Sequence, residues 1–143
     1  MSVPDVPALK KALVDAGFEI YRTGSDEIQL AERIRLHIMD SGVRIRRGDA
    51  VTVEFTARSQ RSDFPNSDPD ELFDRVRAVV GGPAHARGFR EKSFATVKVT
   101  DPVDDTRVLD VWHEVTYHKA TEAIPDFLEE VRWALDVEKY VGT

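Results

Sequence analysis

Four histidines and no cysteine limit the chemistry that 143 residues can carry. Thiolate metal sites, disulfides and a cysteine nucleophile are all excluded. His113, Glu114 and His118 come nearest to a metal-binding pattern, because His-Glu-x-x-His on a helix presents two imidazoles from one face. Here the second imidazole comes five positions after the first instead of four, and the neighbours Val111, Val115 and Tyr117 alternate as strand residues do. That period sends the two rings to opposite faces, so no metal is expected. His113 shares the parity of Val111 and Val115 and is expected in the core or at its rim, hydrogen-bonded to a neighbour, with His118 outside.

The stretch Gly81–Glu91 (GGPAHARGFRE) joins three glycines to His85, Arg87 and Arg90, a composition able to cradle an anion with amides and cations. It has no Gly-Lys-Ser/Thr ending and precedes a strand, whereas a phosphate loop opens a helix, so it reads as a connector. The carboxylates Asp70, Glu71, Asp126, Glu129 and Glu130 fall in first turns of helical patterns, and Asp104-Asp105 in a turn, where capping and solvation account for them. Serine, histidine and aspartate occur without a nucleophile elbow or a defensible triad order. No catalytic residue, cofactor or metal is assigned from the sequence.

Arginine patterning says more. Between Arg33 and Arg61 there are seven arginines against Asp40, Asp49 and Glu54, in a chain whose net charge is −6. If Ile34, Leu36 and Ile38 alternate toward the core, Arg33, Arg35 and His37 face outward, joined by Arg44 and Arg46 on the next strand. Tyr21 and Trp112 fall on the outward parity too. Arginine mixed with aromatics is typical of interaction hot spots, so these seven residues form the expected partner surface. The same face would also suit nucleic acid, with Tyr21 and Trp112 as stacking platforms, and that is the alternative partner.

Helices and strands must position these groups. Leu9, Ala12, Leu13 and Ala16 make one stripe of a helix over 6–16, capped by Asp5 and stopped at Gly17, with Phe18 placed for a Schellman ending. Phe18 and Ile20 open a period of two that continues, after Gly24-Ser25-Asp26, through Ile28, Leu30, Ile34, Leu36 and Ile38, with Glu32 marking a bulge. Val43 and Ile45, then Val51, Val53, Phe55 and Ala57, complete four strand segments. Asp68-Pro69-Asp70-Glu71 starts a second helix, striped by Leu72, Phe73, Val76, Val79 and Val80, and Gly81-Gly82-Pro83 is expected to stop it. A hairpin follows, with Ala95, Val97 and Val99 on one strand and Leu109, Val111, Val115 and Tyr117 on the other. The last helix spans roughly 122–139, with Thr121 as cap and Phe127, Leu128, Val131, Ala134 and Leu135 inward.

The order α-β-β-β-β-α-β-β-α predicts a single α+β domain over residues 1–143, an antiparallel sheet with helices packed on its apolar face. Hydrophobic residues at 41% and charged residues at 32% suit a folded globular chain. The absence of a long apolar run or a signal-like start predicts a cytoplasmic protein with no membrane partner.

In element order, size and acidity the chain resembles the type III secretion chaperone fold and the related YbjN-like proteins. That pattern has three strands before the central helix, against four segments here. The resemblance implies a homodimer that binds an extended segment of another protein. It also makes helix two, through Leu72, Phe73, Val76, Val79 and Val80, the dimer element. The expectation is therefore a noncatalytic, chaperone-like protein-binding adaptor.

Overall fold

The computed structural model describes residues 3–122 and 124–142. Helix α1 (Val6–Asp15) starts where the Asp5 carboxylate accepts the Ala8 amide at 2.9 Å. It ends in the expected Schellman turn, the Gly17 amide donating to the Val14 carbonyl and the Phe18 amide to Leu13. Strands β1 (Ile20–Thr23), β2 (Glu27–Ile34), β3 (His37–Arg47) and β4 (Val51–Gln60) follow, each antiparallel to the one before. Their register aligns Ile28 with Ile45, Ile45 with Val53, and Val43 with Phe55, all fully buried. Six strands lie in the order β1-β2-β3-β4-β6-β5, with β5 (Arg90–Thr100) and β6 (Val108–Thr121). The architecture is α+β and antiparallel, as the element order predicts.

The chain divides into two compact units, one running up to Phe55 together with His118–Val137, the other Thr56–Tyr117 together with the segment from Glu138. In the first, α1 packs on β1 and β2, and α4 (Ile124–Asp136) packs on β3. Val6, Leu9 and Leu13 of α1 and Phe127, Val131 and Ala134 of α4 are buried. Phe55 meets the Trp133 ring edge-on, centroids 5.7 Å apart. Thr121 does not cap α4. It ends β6, and its hydroxyl donates to the Val51 carbonyl at 2.9 Å, which locks two strand ends together.

One inward assignment fails here. Ile34, Leu36 and Ile38 are 49%, 94% and 51% exposed. The β2–β3 register shifts between Gln29 and Ala31, close to the bulge expected at Glu32, and the β3–β4 pairing ends at Val43↔Phe55. Residues 32–39 therefore form a two-stranded arm, Glu32↔Met39 to Ile34↔His37, closed at Arg35-Leu36, where Arg35 takes φ 59°. A strand pair with no helix over it has no inside for alternate residues to find.

In the second unit, α2 (Pro69–Val76) begins as expected, the Asp68 carboxylate accepting the Glu71 amide at 2.9 Å. Gly81-Gly82-Pro83 does not stop the helix. The backbone widens into a π segment (Arg77–Gly81) and continues as α3 (Gly82–Ala86). Proline has no amide to donate and its ring crowds the carbonyl four residues back, which an α-helical ladder cannot absorb but a π turn relieves. Gly81 is pressed against Tyr117, and a Cβ there would lie 2.6 Å from the tyrosine hydroxyl oxygen. A second Schellman turn ends α3, the Phe89 amide donating to Ala84, with Phe89 fully buried. Most of the expected 81–91 connector is therefore helix. Beyond Phe55 the edge of β4 is taken by the C-terminal segment: the Arg58 amide donates to Lys139, and the Val141 amide to Arg58, in a parallel bridge.

Candidate functional site

Of the seven residues of the expected partner surface, Tyr21, Arg33, Arg35, His37, Arg44 and Arg46 belong to the first unit and Trp112 to the second. Arg33, Arg35 and His37 sit exposed on the β2–β3 arm, while Arg44 and Arg46 lie in the ladder between β2 and β4. Arg33 is paired with Glu19. Arg44 grips Asp40 with both terminal nitrogens, each at 2.6 Å, and approaches Glu27 at 3.7 Å. Arg46 pairs with the buried Glu54 and reaches Glu27 at 3.4 Å. The register sets these charges opposite one another, Glu27↔Arg46 and Arg44↔Glu54, which is the arrangement that stabilises a sheet surface. The Arg44 fork holds the Asp40 carboxyl below the usual carboxylate range. This surface is a neutralised ladder rather than a cationic row. Arg35, at the tip of the arm, meets no carboxylate among the described residues.

The outward aromatics carry arginines of their own. The Arg22 guanidinium lies 5.4 Å from the centroid of the exposed Tyr21 ring, and Arg58 covers the half-buried Trp112 at 4.0 Å. Tyr140, in the C-terminal segment, flanks Arg58 at 5.7 Å and donates its hydroxyl to Asp63. Of the helix-two stripe, Leu72, Phe73, Val76 and Val80 are buried, and Val79 alone of the five is exposed.

His113 is buried as its parity predicts, with Nδ1 3.2 Å from the Thr96 hydroxyl and its ring edge-on to Phe73 at 5.1 Å. Burial lowers its pKa, Arg61 adds to the effect and Asp110 opposes it, so the imidazole is neutral near pH 7. His118 is half-buried. Among the described residues no group of three or more histidine or acidic side chains is placed to hold a metal ion.

Sequence reasoning passed over β5. Thr96 reaches His113, and Phe94 packs edge-on against Phe73 at 5.2 Å with the Arg77 guanidinium 5.1 Å from its ring. Even-numbered β5 residues therefore face the helix side, and the Ala95, Val97, Val99 row lies on the opposite face. None of the eleven β5 residues is buried, and Phe94 is 60% exposed despite its aromatic neighbours. The helix-side row reads Arg90, Lys92, Phe94, Thr96, Lys98. Glu91, the only acid of the strand, is held by Arg77 at 2.8 and 3.2 Å. Because β5 ends the strand order, its outer backbone groups have no strand partner among the described residues. The available signal was Phe94, the one large apolar residue of the segment out of step with Ala95, Val97 and Val99.

No family model, curated protein or solved structure matches the chain. Among the described residues, no helix is long and apolar enough to cross a membrane.

Proposed function

We propose that the chain is a noncatalytic protein-binding module, chaperone-like in holding an extended segment of another protein, and that the segment pairs with β5. One observation carries this reading: an eleven-residue terminal strand bonded to β6 on one side only, with Phe94 exposed at its centre. Unpaired amides and carbonyls along such an edge match the backbone of an extended peptide, and alternate side chains supply selectivity. The arginines of β2 and β3 support the reading less, since Arg33, Arg44 and Arg46 already hold carboxylates. For the same reason nucleic acid finds no free cationic row there. Helix two has four of its five apolar side chains buried, which leaves a homodimer through that element without support.

Selection from a displayed library of random peptides on the immobilised protein tests this. Successive strand amides point to opposite edges, so only one of Ala95→Pro and Thr96→Pro breaks the β5–β6 ladder. The variant that keeps the wild-type unfolding midpoint is expected to lose the selected peptides. Undiminished capture by that variant, or a library that yields no binder, would overturn the reading.

A further inference from the structure

The β5 edge is cationic in a protein that is acidic overall. On the helix-side row, Arg90 donates to the Phe89 carbonyl at 3.0 Å and approaches the His85 ring at 3.5 Å, meeting no carboxylate among the described residues. Lys98 has no ion pair among the described residues, and Lys92 places a third positive charge between them. A strand laid beside β5 sets alternate side chains over this same row. From these facts, and resting on the reading of β5 as a peptide-binding edge, we infer that the bound segment is acidic. It is an extended peptide with an apolar residue opposite Phe94 and carboxylates opposite Arg90, Lys92 and Lys98.

The spacing follows from the strand itself. Lys92 lies two residues and Arg90 four residues to one side of Phe94, and Lys98 lies four to the other. The peptide therefore needs carboxylates two and four positions from its apolar residue on one side and four positions on the other. A second copy of β5 fits poorly. The antiparallel register that pairs the whole strand with itself sets Lys92 opposite Lys98 at both ends, and like charges directly opposite one another are destabilising. Edge lysines therefore exclude self-pairing and admit an acidic strand. Nucleic acid shares the negative charge but not the alternating amide and carbonyl groups that the edge leaves open.

Three synthetic peptides of that spacing test the inference, identical except for Glu, Gln or Lys at the three charged positions, with Ser and Thr between. Binding is read by fluorescence anisotropy at low and high salt, and β5 amide protection by hydrogen exchange. The Glu peptide is expected to bind about tenfold tighter than the Gln peptide at low salt, three exposed ion pairs each contributing a few-fold. The gap should close at high salt, and the Arg90→Glu/Lys98→Glu variant should prefer the Lys peptide. Equal binding of all three with β5 protected would overturn the charge inference and leave the edge reading standing. No binding by any peptide would overturn both. An oligonucleotide that binds through Arg90 and Lys98 without protecting β5 amides, or a dimer that protects them without peptide, would also overturn it.

Discussion

Replacing Gly81 by alanine sets two effects of known size against each other. Alanine in a helical position is worth about 0.8–1 kcal/mol over glycine. Here its Cβ would stand 2.6 Å from the hydroxyl oxygen of Tyr117 and 3.4 Å from the ring carbon that bears it. Tyr117 is 1% exposed and its ring is rigid, so the strain of overpacking, about 1–3 kcal/mol, should win. Gly81→Ala is thus expected to destabilise by up to about 2 kcal/mol, or roughly 4–8 °C of thermal midpoint in a protein of this size. Tyr117→Phe removes the crowding atom and leaves the ring carbon at ordinary contact distance. In that background the alanine should become neutral or stabilising. Urea unfolding of the four proteins gives the coupling free energy, expected at about 1–3 kcal/mol. Additivity within about 0.5 kcal/mol would show that the hydroxyl is not what excludes a side chain at Gly81.

Other substitutions probe single links of the structure. His113 has its folded pKa lowered by burial, so its contribution is present above the unfolded value of about 6.5 and is lost as pH falls below that value toward the lowered folded one. The wild-type midpoint should therefore drop more than that of His113→Gln between about pH 8 and pH 5, and parallel curves would refute this. Asp68→Ala removes the carboxylate that accepts the Glu71 amide and should cost about 1 kcal/mol in chemical denaturation. Leu36→Ser, at a side chain 94% exposed on the arm, should shift stability by less than about 0.5 kcal/mol, whereas a core leucine would cost several-fold more.

What could be read from the chain was what local chemistry decides. Asp5 and the Gly17-Phe18 pair bound α1, and Asp68-Pro69 starts α2, because each signal lies within a turn of the structure it controls. The alternation of Val51, Val53, Phe55 and Ala57 was legible because β4 has neighbours on both sides and a covered face. Ile34, Leu36 and Ile38 show the same period, yet nothing within the segment reveals that β3 leaves β4 at Val43. The pairing of the candidate arginines was hidden for a similar reason. Arg33 is neutralised by Glu19 and Arg46 by Glu54, partners that only the strand register brings opposite. In β5, the alternation of Ala95, Val97 and Val99 marked a strand but not its face, and Phe94 and Thr96 show which side meets Phe73 and His113. The sequence could not indicate which strand would end the sheet.

The π turn also explains a spacing that looks irregular for a helix. Leu72, Val76, Val80 and Ala84 are all at most 1% exposed, although they recur strictly every fourth residue. At about 100° per residue, each such step overshoots a full revolution by about 40°, and three steps would carry the last side chain a third of the way round the helix axis. A single wider turn at Arg77–Gly81 takes up that lag and returns Ala84 to the buried azimuth. Removing one residue between Arg77 and Gly81 would leave eleven steps from Leu72 to Ala84, about 20° past three full turns, so an unbroken α-helix would keep all four side chains on the buried face.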